Sequence, residues 1–282
     1  MKSDIFNYDY KAAGLLDQGK KRDSNEDEII MADDAYFFGV TDGMSGLLSG
    51  DVVSKILKKT LHSRIKDILM ELTSKDYTIE NAEKLLKELI QSLSDDIFKQ
   101  YNHVNAFRTG ATLTGAWLLG DYAIFINIGD SRSYLLHNGD PLKQISTDHN
   151  LAALLVQCGE ITKEEARTHP AGAQLRRFIG MKPPATPETF LYKVQPGDCL
   201  LFCSDGLHGM IYDDEIEKVM RQEKDGETIV KELVDMANEN GGEDNISVVY
   251  VKIAHKMASS KHSTQGKTVR ADNKTSERKT LR

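Results

Sequence analysis

Residues 112–146 read TLTGAWLLGDYAIFINIGDSRSYLLHNGDPLKQIS. Short runs rich in β-branched and aromatic residues alternate here with Gly-Asp and Asn-Gly-Asp turn signals, the pattern of consecutive strands tightly joined. Four strands follow, TLTGAWLL, YAIFINIG, SRSYLLH and LKQIS, arranged as an antiparallel meander. Upstream the period changes. Val52, Val53, Ile56, Leu57 and Leu61 recur at helical spacing and predict a helix over about 50–71, with a second over about 79–103. Strands near 10–16 and 28–41 precede them. Downstream, short helices at about 150–158 and 162–168 lead into a polar segment ending at Pro187. Strands near 189–194 and 198–204, helices near 213–222 and 226–240, and a last strand NISVVYVKI complete the pattern. Helices cluster apart from hairpins, so the fold class is α+β, with antiparallel sheets covered by helices.

The chain has 282 residues and 40% apolar content, enough for one large core or two modest ones. Neither an internal repeat nor a Pro/Gly/Ser-rich linker divides residues 5–254, which argues for one domain. The longest apolar runs are strand-sized and the N-terminus MKSDIFNYDYK has no signal-peptide core, so no transmembrane segment and a cytoplasmic location are expected. Cys158, Cys199 and Cys203 form an odd set without a CxxC pair. They read as buried thiols rather than a disulfide framework or a zinc knuckle, and none heads a Cys-x5-Arg phosphate loop. The net charge of −7 conceals an asymmetry: residues 255–282 carry eight Lys or Arg against two acids, leaving about −13 on the rest. That tail lacks periodicity and large apolar residues and is expected to be disordered. It reads either as a docking arm for an acidic partner or as a solvated end. The acidic body gives no reason to expect a nucleic-acid partner.

Acids stand at the ends of the apolar runs. In YFFGVTDGMSG (36–46) Asp42 closes one strand, and 163 residues later CLLFCSDGLHG (199–209) repeats the device with Asp205. Either Asp-Gly alone reads as a turn. Five such positions together do not: Asn25-Glu26-Asp27 opens a strand, Asp130 sits between two, and Asp244 immediately precedes the last. Carboxylate, carbonyl and water suit Mg²⁺ or Mn²⁺, and no His/Cys set has zinc spacing. The implied cofactor is a pair of such ions sharing a bridging aspartate. Ions about 3.5–4 Å apart activate a bridging water and clamp a phosphoryl oxygen, which makes phosphoester hydrolysis the reaction class.

The ordered set GKKRDSNED, VTDGMSG, GATLTGAWLLGDYAIFINIGDSRSYLL, ISTDHN, CSDGLHG and GGEDNISVV resembles the metal-dependent (PPM, type 2C) Ser/Thr protein phosphatases, most closely their compact bacterial members, over roughly residues 8–253. The resemblance implies a β-sandwich of two antiparallel sheets in four layers with flanking helices, and hydrolysis of phosphoserine or phosphothreonine by a water or hydroxide bridging two Mn²⁺ or Mg²⁺ ions. Residues 1–254 would form the catalytic domain. By the same resemblance Asp42 would bridge both metals, the Gly43 carbonyl would complete one, and Asp205 and Asp244 would hold the other. Glu26 and Asp27 would reach the ions mostly through water, and Arg22 would bind phosphate, for which a bidentate guanidinium is suited. Asn245 would fix the loop so that Asp244 points at the metal.

Two departures from the family pattern stand out. The residue after the bridging Asp-Gly is Met44, not the histidine of animal members, so the leaving oxygen would be protonated by a metal-bound water or expelled with metal help alone. Gly209 occupies the place of an aspartate that, with Asp130 and Asp205, holds a third and weaker metal in many relatives; a weakened third site is expected. Asp130 otherwise reads as a hairpin-turn residue. Residues 151–187 match the family's flap beside the cleft, where Arg176-Arg177 would meet acidic or phosphorylated substrate residues or else serve as surface and packing charges. His149 and His169 read as structural hydrogen-bonders and Trp117 as core. Expected partners are phosphorylated proteins and a cognate Ser/Thr kinase; the lack of a membrane span, a heptad run or a second domain favours a monomer. A regulatory pseudophosphatase, or a hydrolase of small phosphoesters or nucleotides, would use the same fold. Retention of Asp42, Asp205 and Asp244 speaks against the first, and the lack of aromatics near the acids against the second.

Overall fold

The computed structural model describes residues 6–46, 49–73, 77–102 and 109–255. In chain order its strands are β1 (Asp9–Asp17), β2 (Asp27–Ala32), β3 (Phe37–Met44), β4 (Gly110–Ala111), β5 (Leu113–Leu119), β6 (Tyr122–Ile128), β7 (Arg132–Leu136), β8 (Lys143–Gln144), β9 (Glu188–Lys193), β10 (Cys199–Cys203) and β11 (Ile246–Ala254). The α-helices are α1 (Gly50–Thr73), α2 (Ile79–Ile97), α3 (Leu151–Gln157), α4 (Lys163–Thr168), α5 (Asp205–His208), α6 (Asp213–Met220) and α7 (Gly226–Glu239). One sheet runs β1-β11-β10-β7-β8 and the other β2-β3-β5-β6-β9, with β4 paired to β3. Every strand pairing is antiparallel.

Each sheet is covered on both faces, which explains why its strands read as nearly unbroken apolar runs. Successive side chains point to opposite faces. Phe38, Ala116, Phe125, Leu200, Phe202 and Val249 fill the space between the sheets. Their neighbours turn outward: Phe37, Trp117 and Ile124 pack under Leu57, Leu61 and Ile65 of α1 and Leu86 of α2. On the far side Leu201, Val248 and Tyr250 pack under Ile216 of α6 and Leu233 of α7. Three apolar layers thus hold four structural layers together, and burying each large side chain contributes about 1.5–3 kcal/mol. Trp117 lies in the core as its alternation predicts, its indole N–H donating to the Ala35 carbonyl at 2.9 Å.

The α+β sandwich agrees with the sequence reading, and several local expectations do not. The predicted 28–41 strand is broken by a 3-10 turn at Asp33–Ala35, where Tyr36 adopts φ 56° before β3 resumes. Two adjacent aspartates favour a turn over ladder pairing. The 112–146 stretch is not a meander: β6 pairs with β5 and β9, whereas β7 leaves for the other sheet and pairs with β10 and β8. Gly129, at φ 119°, makes the departure in the loop between them. Helix α2 ends at Ile97 and continues as a π-helical segment, Phe98–Asn102. The single-turn α5 and a 3-10 turn at Pro170–Ala173 escaped the periodicity. Cys199 and Cys203 are buried as expected, but Cys158 is exposed at the C-cap of α3. No helix among the described residues is long and apolar enough to cross a membrane. The basic tail, from Lys256 onward, lies outside the described residues.

Candidate active site

The antiparallel pairings bring the start of β2 beside the end of β3, and the end of β10 beside the start of β11. The β6–β7 loop crosses between the sheets. Asp27 and Asp42 are direct cross-strand partners, an arrangement that puts Cβ atoms about 4.5–5.5 Å apart and is unfavourable for like charges. Asp205 follows β10 and Asp244 precedes β11, so the other sheet supplies two more acids, and Asp130 comes from the crossing loop. Mutual electrostatic influence ties Asp42 to Asp27, Asp205, Asp130 and Asp244.

Neither Asp-Gly pair is a turn of the kind that requires a left-handed glycine: Gly43 and Gly206 are absent from the residues of positive φ among those described. Close backbone approach is the reason for glycine at both. A Cβ on Gly43 would strike the Gly50 and Glu26 carbonyls, and one on Gly206 the Asn245 carbonyl. Each glycine therefore lets the segment carrying one acid press against a segment carrying another.

Burial holds the carboxyls above their ordinary range. Asp27 is pushed up to about 8, chiefly by burial, with Ser204 and Ser247 hydroxyls opposing and Asp205 and Asp244 adding to it. Asp130 is also raised to about 8, by burial and by Asp205, against a hydrogen bond from Asn150. Asp205 is raised to about 6 by burial and Asp244, with Arg22 opposing. Asp42 is raised well above the ordinary carboxylate range, by burial and then by the acids around it. Two oxygens, Asp27 Oδ2 and Asp205 Oδ1, are buried without a hydrogen-bond partner. Buried carboxylates with orphaned oxygens fit a cation that the chain itself does not supply. Among the described residues no three His, Cys, Asp or Glu side chains close around a single point.

The loops around the acids are tied by hydrogen bonds. Asn245 Nδ2 donates to the Gln18 and Ser24 carbonyls, both at 2.9 Å, while its Oδ1 accepts the Glu26 N–H at 2.8 Å. Its own N–H donates to Asp244 Oδ1 at 2.7 Å. One asparagine thereby joins the 18–26 segment to the Asp244 turn. Arg22 lies across that seam, its guanidinium 2.6 Å from Asp244 Oδ2. Burial opposes the charged form of Arg22, yet Asp244, Asp205 and Asp42 more than compensate. Glu26 accepts from Ser45 Oγ at 2.5 Å. At Asp42 the backbone is held by Thr112, whose N–H donates to the Asp42 carbonyl and whose Oγ1 accepts the Asp42 N–H.

Sequence reasoning missed three supports. Asn150 donates to Asp130 Oδ2 at 3.2 Å while its Oδ1 caps α3 by accepting the Ala153 N–H. An asparagine ahead of an apolar helical run is the signal that would have found it. His208 Nε2 lies 3.0 Å from the Asp130 carbonyl, and burial drives this imidazole down to about 3; since a carbonyl only accepts, the neutral ring carries its proton on Nε2. Arg132 grips Asp148 with Nε and a terminal nitrogen at 2.7–3.1 Å. His149 and His169 are hydrogen-bonders as expected: Nδ1 of each accepts a backbone N–H, from Gly129 and Ala171. Arg177 pairs with Glu188 at 2.8 Å, and Arg176 is exposed.

The sequence profile described as "Protein phosphatase 2C" matches residues 20–248. A "Serine/threonine phosphatase stp" of Listeria innocua is 33% identical over 240 residues, covering 84% of this chain and 93% of that protein. The structure of an S. agalactiae serine/threonine phosphatase superposes with a TM-score of 0.77 at 27% identity, over 86% of this chain and 99% of the other. The catalytic domain of the serine threonine protein phosphatase PstP, solved in complex with two manganese ions, gives 0.73 at 27% identity, covering 87% and 98%.

Proposed function

Because the chain belongs to the protein phosphatase 2C family, we propose that its acidic pole hydrolyses phosphoserine and phosphothreonine in proteins with two divalent cations, Mn²⁺ or Mg²⁺. The observation that carries this reading is the convergence of four aspartates onto one pole from both sheets, Asp27 and Asp130 buried and Asp42 and Asp205 part-buried, two of them with orphaned oxygens. Bound there, the cations supply an activated water and neutralise charge on the phosphoryl oxygens.

The chain's own residues divide the remaining work. Asp42 would serve both ions, a reading supported by its neighbours, which include acids from either sheet. The Gly43 carbonyl would complete one ion, Asp205 and Asp244 would hold the other, and Glu26 and Asp27 would reach the ions mostly through water. Arg22 uses one terminal nitrogen on Asp244, and its other N–H groups have no partner among the described residues, so they are open to a phosphate dianion. Asn245 keeps Asp244 in place. Met44 carries no proton to give to the leaving oxygen. Asp130 lacks a third carboxylate at Gly209, which supports a weak third site or none.

Residues 1–254 form the catalytic domain in this reading, with 151–187 as its flap and 255–282 as a basic tail beyond it. A cognate Ser/Thr kinase and a cytoplasmic location complete it, supported by the likeness to bacterial Ser/Thr phosphatases, together with a monomeric state.

The test is hydrolysis of a phosphothreonine peptide and of p-nitrophenyl phosphate with EDTA, Mg²⁺ or Mn²⁺, beside the Asp205→Asn protein. Metal-dependent phosphate release abolished by EDTA and by the substitution is expected. Folded protein without turnover under either metal would overturn the reading in favour of a binding module.

A further inference from the structure

Arg167 of α4 ties the 151–187 segment to the body of the protein through several contacts at once. Its guanidinium donates to the His208 carbonyl at 3.1 Å, the Gly209 carbonyl at 3.3 Å and the Ile211 carbonyl at 3.4 Å. The same group stacks over the Tyr212 ring, 4.0 Å from its centroid, and the Tyr212 hydroxyl returns to Glu164 at 3.3 Å. A planar fork over three carbonyls and an aromatic face is a contact that lysine cannot reproduce.

The carbonyls it grips belong to the turn that ends α5. That helix starts with Asp205, and its last residue, His208, donates to the Asp130 carbonyl. The residue just ahead of the segment, Asn150, which caps α3, is tied to the same place, its amide donating to Asp130 Oδ2. One segment is thus fastened at two points to the residues carrying Asp130 and Asp205. The second fastening sits at Gly209, where a third cation would need a carboxylate. The residues present do not offer one; a protein cation stands on that turn instead.

We propose that Arg167 is a positioning residue that latches the 151–187 segment onto the α5 turn and thereby fixes the wall against which an extended phosphopeptide binds. The peptide part rests on the phosphatase reading; the latch itself does not. A small aryl phosphate needs only the acidic pole, so its hydrolysis does not depend on the latch.

The test compares wild type, Arg167→Ala, Arg167→Lys and Tyr212→Leu by amide hydrogen exchange and by kinetics, with thermal unfolding as the control for folding. Hydrogen bonds from a charged group are worth about a tenfold to hundredfold factor. Arg167→Ala is therefore expected to speed exchange in 163–173 and 206–212 by roughly tenfold or more. It should raise KM for a phosphothreonine peptide about as much, with kcat for p-nitrophenyl phosphate within about twofold. Arg167→Lys should recover part of both effects, and Tyr212→Leu should show a smaller version. Unchanged exchange in Arg167→Ala would overturn the latch whether or not the enzyme is active. Faster exchange with equal losses on both substrates, or with none on the peptide, would overturn its positioning role. Wild-type protein inert toward both substrates would refute the phosphatase reading alone, with exchange still deciding the latch.

Discussion

Arg132 and Asp148 form one largely enclosed set of charges, and Asp27, Asp42, Asp130 and Asp205 form another close by; the fold treats them in opposite ways. Arg132 meets Asp148 in a forked pair, and Gln144 donates a further hydrogen bond to the same carboxylate. Burial alone would raise Asp148, but the guanidinium holds it below the ordinary carboxylate range. The four aspartates are raised instead, with two oxygens left bare and Arg22 as the cation that opposes the rise at Asp205. Charge answered from within the chain supports the fold. Charge left unanswered marks a place for something from outside, because an uncompensated buried carboxylate would otherwise be a liability.

The contrast is tested most severely by removing one acid from each set. Asp42→Asn should lose more than a hundredfold in phosphate release, as expected when a group that organises charge stabilisation is removed. In EDTA it should nevertheless unfold at a higher temperature than wild type, because it relieves crowding among like charges. A lower unfolding temperature in EDTA would mean that the acids are not in conflict.

Asp148→Asn should do the reverse. Breaking a buried ion pair costs about 3–5 kcal/mol, which urea unfolding at neutral pH would register whether or not metal is present. The sign with pH follows from the lowered range of Asp148: its contribution is complete above the unfolded value near 4 and is lost as pH falls through the folded one. Wild type and Asp148→Asn should therefore converge in stability under acid. A constant gap down to strongly acid pH would break the assignment.

Arg22→Ala should have a smaller effect, raising KM for phosphopeptide by about tenfold, the worth of a charge-assisted bond, with less change in kcat. An equal fall in kcat would place Arg22 in the bond-breaking step. The smallest effect concerns a part-buried pair. His137 Nδ1 lies 2.5 Å from Asp198 Oδ1, which raises the imidazole above its ordinary value through the hydrogen bond and then the charge. Its stabilising share is present below about pH 6.5 and fades as pH rises through the folded value. A ring titration by NMR with its midpoint at or below the ordinary value would contradict the pairing.

Much of this was legible in the chain, for reasons that differ by residue. Asp42, Asp205 and Asp244 announce themselves because an acid at the lip of an apolar run is costly and local. The Asp27–Asp42 confrontation is not local. It depends on register between β2 and β3, and no pattern in either strand states which residue faces which. The meander was misread for a related reason: turn signals show where a strand ends, and Gly129–Asp130 looks like any tight hairpin, but it carries the chain from one sheet to the other. Arg167 and Asn150 escaped because their partners are distant in sequence or serve two purposes at once. Asp-Gly was ambiguous until structure showed that close approach, not a left-handed turn, requires glycine at 43 and 206.

The acids at the pole arrive on two separate sheets, Asp27 and Asp42 on one, Asp205 and Asp244 beside strands of the other. The sheets act as the jaws of a caliper, and Phe38, Phe125 and Phe202 between them are its spacer. A close-packed interior transmits a change of even one methylene. The gauge of the acidic pole is therefore cut by hydrocarbon that never touches it, and a silent exchange of one core side chain for another is a way to retune how wide a pair of charges the molecule will accept.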